Sequence, residues 1–142
     1  MIGIGIDAVE VDRFREVLVR RPQLAVRLFT EAERADCGRA SDSAPRLAAR
    51  FAAKEAVMKA LGVGLGAFAF HDVEVVREPS GAPRLLLRGA AAELASSRGV
   101  QGWSVSLSHT RSTAHAVVAA VGTPGAGPVA GTASAPSEDR RG

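Results

Sequence analysis

The chain has 142 residues and a formal net charge of +3, and 46% of its residues are hydrophobic. This length fits a single domain around one core, and the composition is ordinary for a soluble globular protein. The sequence has no apolar run of about 18 residues and no basic leader followed by an apolar block. It therefore predicts neither a membrane span nor export, and it favours a cytoplasmic location.

Charge and cysteine content exclude further classes of protein. The one cysteine, Cys37, has no second cysteine with which to form an internal disulfide or a zinc site. The small positive charge favours acidic partners. Nucleic acid is not a predicted partner, because the chain has neither a lysine-rich run nor an aromatic-studded strand.

The first predicted element is a strand over residues 2–12, in which isoleucine and glycine alternate as IGIGIDAVEVD. One face of this strand is apolar, and the other carries Gly3, Gly5 and Asp7. Glycines in a strand mark the close approach of another backbone or of a ligand. Asp7 therefore either faces an open site or ends the strand and caps the helix that follows.

Helices and hairpins follow the first strand. A helix beginning near residue 12 is broken at Pro22, and Thr30 with a glutamate three residues later forms a capping box for a short helix. The predicted elements after Pro22 are helices over 31–38 and 46–61, strands over 71–77 and 84–87, a helix over 89–97, and strands over 103–109 and 114–121. We expect one domain over residues 1–121 and a disordered tail, rich in Gly, Pro and Ala, over residues 122–142.

The long helix over 46–61 carries charged residues on its packed side. Lys54 falls inside the apolar stripe and Glu55 on its border, which is unfavourable unless each charge is paired or ligated. Lys59 lies one turn after Glu55, so the two could form an exposed ion pair worth a few tenths of a kcal/mol. A run of glycines that permits close approach of a ligand follows the helix, namely Gly62, Gly64 and Gly66. A solvated helix end and a ligand site are both compatible with this pattern.

Asp7 and Glu55 are the candidate ligands of a metal ion. A strand packed on the long helix would bring the two carboxylates together. Carboxylate oxygens suit Mg²⁺, which takes one or two of them from the protein and uses waters and substrate phosphates for the rest. With Lys59 nearby to neutralise charge, the set suits in-line displacement at the phosphorus of a pyrophosphate.

Three motifs occur in the order GIGIDAVEVDRF, RFAAKEAVMKALGVG and SVSLSHT. Together, over residues 2–121, they resemble the holo-acyl-carrier-protein synthases, the small type of 4'-phosphopantetheinyl transferase. The resemblance implies an α+β fold with an antiparallel sheet packed on a long central helix, assembled as a homotrimer with active sites between subunits. It also implies Mg²⁺-dependent transfer of the 4'-phosphopantetheine group of coenzyme A to a serine of an acidic acyl carrier protein, with release of adenosine 3',5'-bisphosphate.

The resemblance assigns roles to individual residues. The implied catalytic residues are Asp7 and Glu55, as Mg²⁺ ligands, and Lys59, near the pyrophosphate. The implied contacts to coenzyme A are Arg50, Lys59, Gly62, Gly64, His109 and Thr110. Among these, Arg50, His109 and Thr110 match residues around the 3'-phosphate at the nucleotide end. The implied contacts to the carrier protein are Arg13, Arg20 and Arg27, which match basic positions of the first helix and would otherwise be an ordinary solvated face.

The sequence departs from the family at Val63, where threonine is usual, and in its long tail. Two other functions use the same residues. A small Mg²⁺-dependent nuclease or nucleotide hydrolase would attack with water, whereas a basic adaptor would bind acidic proteins without Mg²⁺ and leave Asp7 and Glu55 without a task. Two bases are compatible with the transferase, a carboxylate such as Glu55 and a metal-bound water.

Overall fold

The computed structural model describes residues 1–123, and most of the predicted tail lies outside these described residues. The elements are β1 (Gly3–Glu10), α1 (Val11–Arg20), α2 (Pro22–Leu28), α3 (Glu31–Cys37), α4 (Ala44–Leu61), a short 3-10 helix (Phe70–Asp72), β2 (Val73–Arg77), β3 (Pro83–Leu87), α5 (Gly89–Ser97), β4 (Val100–His109) and β5 (Thr113–Gly122). Gly122, which we predicted as the first residue of the tail, is instead the last residue of β5.

The strands form two antiparallel sheets. The first has the order β1-β5-β4, and the second is the β2-β3 hairpin. Antiparallel sheets combined with helices confirm the predicted α+β class. The short α3 has the predicted cap, since the Thr30 hydroxyl accepts from the Glu33 N–H at 3.1 Å and the Glu33 carboxylate accepts from the Thr30 N–H at 3.0 Å. Within residues 1–123, no helix has the length and apolar character needed to cross a membrane.

The glycines of β1 allow α4 to lie directly on the sheet. A Cβ atom on Gly5 would lie 1.9 Å from the Ala56 carbonyl oxygen, and one on Gly3 would lie 2.1 Å from the Ala60 carbonyl oxygen. Of the two interpretations of these glycines, backbone approach is therefore the correct one. Asp7 is the next residue on the same face of β1, so the strand delivers its carboxylate to the flank of α4.

Helix α4 is buried on most of its surface, which the predicted apolar stripe did not anticipate. Its alanines pack against the sheet, and Ala52, Ala53 and Ala56 are fully buried. Lys54 is also fully buried, and its ammonium group is paired with Glu33 at 2.9 Å. The helix lies between two clusters of apolar side chains, one shared with both sheets and α5, the other shared with α1, α2 and α3. Because both clusters pack on it, α4 fixes the positions of the functional side chains that it carries.

Candidate active site

Asp7 and Glu55 meet at the flank of α4. The pKa of Glu55 is raised to about 7, firstly because burial disfavours its charged form, and secondly because the nearby Asp7 carboxylate disfavours a second negative charge. The positive charge of Lys59 partly opposes this rise. Gly5, two residues before Asp7, packs against Ala56, the residue after Glu55, so both carboxyl groups lie where β1 meets α4. The fold thus brings together two carboxyl groups that are far apart in the sequence.

Lys59 pairs with Asp7 rather than with Glu55. Its ammonium group lies 3.0 Å from Asp7 Oδ1 and 2.9 Å from the carbonyl oxygen of Ile6. The exposed Glu55–Lys59 pair that the helical spacing suggested is absent from the ion pairs of residues 1–123. The Lys59 side chain remains 55% exposed, whereas that of Asp7 is 12% exposed. The lysine therefore forms the solvent-facing side of the carboxylate pair.

The carboxylate pair fits a small hard cation. Among the described residues, Asp7 Oδ2 is buried and has no hydrogen-bond partner, which is unfavourable for a carboxylate oxygen unless something else binds it. Among residues 1–123 there is no cluster of three or more His, Cys, Asp or Glu side chains able to hold a metal. A site of two carboxylates is nevertheless what Mg²⁺ requires, since the ion keeps several waters and uses substrate phosphates. The donor set is therefore suited to Mg²⁺ bound together with a phosphate substrate.

The predicted glycines follow α4 directly. Gly62 ends the helix in the left-handed conformation, with φ of 72°, and its N–H donates to the Lys59 carbonyl oxygen at 3.1 Å. Gly64 has no such role, because a Cβ atom there would meet nothing within 4 Å. Val63, the departure from the family pattern, packs against the core. The folded chain itself thus requires glycine at position 62 and leaves open space at position 64.

An apolar cavity of about 550 Å³ lies beside the carboxylate pair. Its polar lining residues include Glu55 and Arg13, and its apolar walls are Val9, Phe14, Val17, Leu24, Leu28, Phe51, Leu65 and Phe70. Sequence reasoning missed this cavity, because its walls come from β1, α1, α2, α4 and the segment between α4 and β2. Each wall residue has the sequence signature of an ordinary core residue.

A second cavity, of about 250 Å³, has a cationic lining. It contains the two predicted residues Arg50 and His109, and it adds Arg46 and Arg77, which the sequence analysis did not select. Arg46 lies one helical turn before Arg50, so helical spacing could have indicated it. Arg77 is at the end of β2 and reaches the cavity only through the fold. The concentration of guanidinium groups makes this cavity suitable for an anion such as a phosphate.

Arg50 is held in this cationic cavity by α3. One guanidinium nitrogen lies 2.5 Å from Asp36 Oδ2, and another donates to the Cys37 sulfur at 2.9 Å. Burial tends to raise the pKa of Asp36, but Arg50 and Arg77 outweigh that effect and hold it below its ordinary value. Arg50 Nε is buried and has no hydrogen-bond partner in the described part of the chain. Thr110, in contrast, accepts hydrogen bonds from backbone N–H groups of the β4–β5 turn and does not line the cavity.

The two predicted parts of the site lie on opposite flanks of α4. Glu55 follows Arg46 by nine positions, and Lys59 follows Arg50 by nine. Nine residues of an α-helix turn through about 900°, which leaves the two side chains about half a turn apart. One chain therefore presents the carboxylate pair on one side of α4 and the cationic cavity on the other.

The arginines assigned to a protein partner occupy two helices. Arg13 and Arg20 are exposed on α1, as predicted. Arg27 is also exposed, but the prediction that it belongs to the first helix is wrong, because Pro22 begins a separate helix, α2, which contains it. Arg13 additionally lines the apolar cavity beside Glu55. The basic surface thus extends over α1 and α2 from the rim of that cavity.

The raised pKa of Glu55 predicts a pH dependence of folding stability. The pKa of this carboxyl group is about 7 in the folded protein and 4.5 ordinarily, so the folded protein holds the proton more tightly. The resulting contribution to folding stability is fully present below pH 4.5 and is lost as the pH rises through about 7. In metal-free buffer, we expect the free energy of unfolding to fall across this window, and Glu55→Gln should flatten the fall. Denaturant titrations of both proteins measure it, with the exposed Glu16→Gln as the control. Identical profiles for wild type and Glu55→Gln would contradict the assignment.

Comparison with known proteins places this geometry in a family. The model of the 4'-phosphopantetheinyl transferase superfamily matches residues 3–120. The holo-[acyl-carrier-protein] synthase of Streptomyces avermitilis is 52% identical over 122 residues, covering 86% of this chain and 98% of the relative. That of Moorella thermoacetica is 48% identical over 117 residues, covering 82% of this chain and 91% of the relative.

Solved structures agree with the sequence relatives. The crystal structure of holo-[acyl-carrier-protein] synthase from Neisseria meningitidis has a TM-score of 0.78 at 32% identity, covering 85% of this chain and 98% of that one. The Helicobacter pylori enzyme in complex with coenzyme A has a TM-score of 0.73 at 31% identity, covering 83% and 99%. The chain therefore belongs to the holo-[acyl-carrier-protein] synthase family within the 4'-phosphopantetheinyl transferase superfamily.

Proposed function

We propose that this chain is a Mg²⁺-dependent holo-acyl-carrier-protein synthase with Asp7, Glu55 and Lys59 as its catalytic residues. It transfers the 4'-phosphopantetheine group of coenzyme A to a serine of apo acyl carrier protein and releases adenosine 3',5'-bisphosphate. The observation that carries the proposal is the carboxylate pair. Asp7 keeps a buried oxygen without a partner beside Glu55, and the Lys59 ammonium group lies 3.0 Å from its other oxygen.

Each of the three residues has a task in the transfer. Asp7 and Glu55 are the residues that would hold Mg²⁺, which neutralises charge on the pyrophosphate when bound. Lys59 is accessible enough to stabilise the charge that grows on the leaving phosphate as the phosphoanhydride bond breaks and the serine oxygen bonds to phosphorus. The proton that the serine hydroxyl loses would pass to a carboxylate such as Glu55 or to a water that Mg²⁺ would hold.

The two cavities suit the two ends of coenzyme A. The apolar cavity beside Glu55 matches the uncharged pantetheine arm, and the open space at Gly64 lets the substrate approach the backbone. The cationic cavity with Arg50 and His109 matches the 3'-phosphate. Because these parts lie on opposite flanks of α4, one coenzyme A molecule contacts both only when the cationic cavity belongs to a neighbouring copy of the chain.

The outer face of the three-stranded sheet supports such an assembly. It exposes apolar side chains on adjacent strands, Ile4 and Ile6 on β1 and Val117 and Val121 on β5, and Ile6 is 63% exposed. Contiguous apolar surface of this kind favours association of subunits. We propose that three copies associate through this face, so that each coenzyme A site lies between two subunits.

The exposed arginines of α1 and α2 provide a docking surface for an acidic carrier protein. Arg20 tests this surface most cleanly, because Arg13 also lines the cavity for the pantetheine arm. We expect Arg20→Glu to raise KM for the carrier protein about tenfold and to leave KM for coenzyme A unchanged. Steady-state kinetics at low ionic strength measure both constants, with Arg39→Glu, an exposed arginine after α3, as the control for net charge. Equal changes in both constants, or an equal effect of the control, would count against the docking surface.

Mass spectrometry of an apo carrier protein tests the function itself. After incubation with this protein, coenzyme A and Mg²⁺, the carrier should gain the mass of one phosphopantetheine group at its serine. Adenosine 3',5'-bisphosphate should appear only when the carrier is present. A carrier of unchanged mass, with coenzyme A cleaved by water instead, would replace the transferase by a hydrolase.

A further inference from the structure

A fully buried ion pair joins α3, α4 and the segment that precedes β2. Lys54 on α4 and Glu33 on α3 are both inaccessible to solvent. The Lys54 ammonium group donates to Glu33 Oε1 at 2.9 Å, to the Phe70 carbonyl oxygen at 3.1 Å and to the Val73 carbonyl oxygen. These three acceptors use all three donors of the ammonium group. Lys54 thus ties the backbone of the segment 70–73 to the middle of α4.

The Glu33 carboxylate likewise accepts three hydrogen bonds. It accepts from the Thr30 N–H at 3.0 Å and from the Val75 N–H at 2.8 Å, in addition to Lys54. Apolar residues of similar volume often replace a buried ion pair without loss of stability, but they could not replace the bonds that this pair makes to four backbone groups. A pair with this many directed bonds therefore defines where the joined segments lie.

The segment that Lys54 holds carries one wall of the apolar cavity. Phe70 stacks on Phe51 with 5.4 Å between ring centroids, and Phe51 stacks on Phe14 at 5.3 Å. Phe14 meets Phe29 edge to face at 6.2 Å, and the Lys54 nitrogen lies 5.6 Å from the centre of the Phe29 ring. Lys54 therefore lies against the Phe29 ring at one end of this row of four rings and bonds to the backbone of Phe70 at the other. Three of these rings line the cavity beside Glu55.

We propose that Lys54 and Glu33 are positioning residues for coenzyme A, acting through Phe70 and the glycine-containing segment 62–69. The left-handed turn at Gly62 fixes one end of this segment, and the Lys54 bond to the Phe70 carbonyl oxygen fixes the other. With both ends fixed, the cavity beside Glu55 keeps the shape that receives the pantetheine arm. This inference rests on the proposed transferase function.

The double variant Glu33→Leu with Lys54→Met separates positioning from stability. Apolar side chains of similar size fill the same space but hold neither Phe70 nor Val73. We expect a lower unfolding midpoint, because the backbone groups of Thr30, Val75, Phe70 and Val73 lose their side-chain partners. At a temperature at which the variant is still folded, its KM for coenzyme A should be raised about tenfold and its KM for the carrier protein unchanged. A folded double variant with wild-type KM for coenzyme A would overturn the inference.

A second variant keeps the test decisive if the double variant does not fold. Phe70→Ala removes the wall while leaving the Lys54–Glu33 pair in place, and it should raise KM for coenzyme A in the same way. An unchanged KM in Phe70→Ala would also overturn the inference. The wild-type protein in the same assay tests the function on which the inference rests. If the wild type transfers no phosphopantetheine, the proposed function fails. If the wild type is active but the variants have an unchanged KM for coenzyme A, only the positioning role fails.

Discussion

Glu55→Gln should lower the rate of phosphopantetheine transfer about a thousandfold while leaving the protein folded. The amide has nearly the shape of the carboxyl group but carries no charge for a cation and accepts no proton. Loss of metal-assisted stabilisation amounts to several kcal/mol, and each 1.36 kcal/mol is a tenfold change in rate. The raised pKa of Glu55 leads to a second expectation. Above about pH 7 the buried Glu55 carboxyl group is ionised, which destabilises the folded protein. The inactive variant should therefore be at least as stable as the wild type at alkaline pH.

This combination distinguishes a catalytic role from damage to the fold. The rate of carrier modification and the free energy of unfolding are measured on the same preparations, and the exposed Glu16→Gln on α1 serves as the control. Calorimetric titration with Mg²⁺ in the presence of coenzyme A should show binding to the wild type and much weaker binding to Glu55→Gln. Undiminished turnover in Glu55→Gln would remove the carboxylate pair from the mechanism, and with it the chemical basis for choosing a transferase.

Local signals in the sequence predicted most elements of the fold. The capping box at Thr30 placed α3, proline and glycine at 79–81 placed the first hairpin, and alternating residues on both sides of the turn at 110–112 placed the second. These signals succeed because each depends on residues only a few positions apart. The bare face of β1 was also visible as Gly3 and Gly5, although the sequence left open whether a helix backbone or a ligand approaches it. The observed contact with α4 decides between these alternatives.

The partners of the charged residues were not predictable in the same way. Helical spacing suggested that Lys59 pairs with Glu55, but β1 brings Asp7 closer and Lys59 bonds to it instead. Lys54 required a partner, and the sequence did not identify Glu33, which already has a local explanation as a capping residue. Arg77 reaches the cationic cavity only because the β2-β3 hairpin packs beside α4. Local periodicity contains no information on such distant contacts.

The proposal that the site lies between subunits makes the second prediction with a large expected effect. If each coenzyme A molecule contacts the Asp7–Glu55 pair of one subunit and the cationic cavity of the next, two inactive variants should restore each other. Glu55→Gln removes the first half and His109→Glu places a negative charge in the second, so each variant alone should be nearly inactive. His109 is exposed, and its replacement does not disturb the buried Arg50–Asp36 pair.

Refolding the two variants together from denaturant should recover transfer activity in about a quarter of the sites. In a closed ring with head-to-tail contacts, each site takes its carboxylate pair from one subunit and its cationic cavity from the next. A site is intact when the first of these subunits is the His109→Glu variant and the second is the Glu55→Gln variant. In an equal mixture each condition holds for half of the subunits. Ile6→Glu placed in both variants should abolish the recovery, because it introduces a charge into the exposed apolar face of the sheet that would join the subunits. A mixture no more active than the sum of its components would place both halves of the site within one chain. Coenzyme A would then have to pass around α4 to reach both halves. Glu55 and Arg46 lie on opposite sides of that helix, which makes such a path unfavourable.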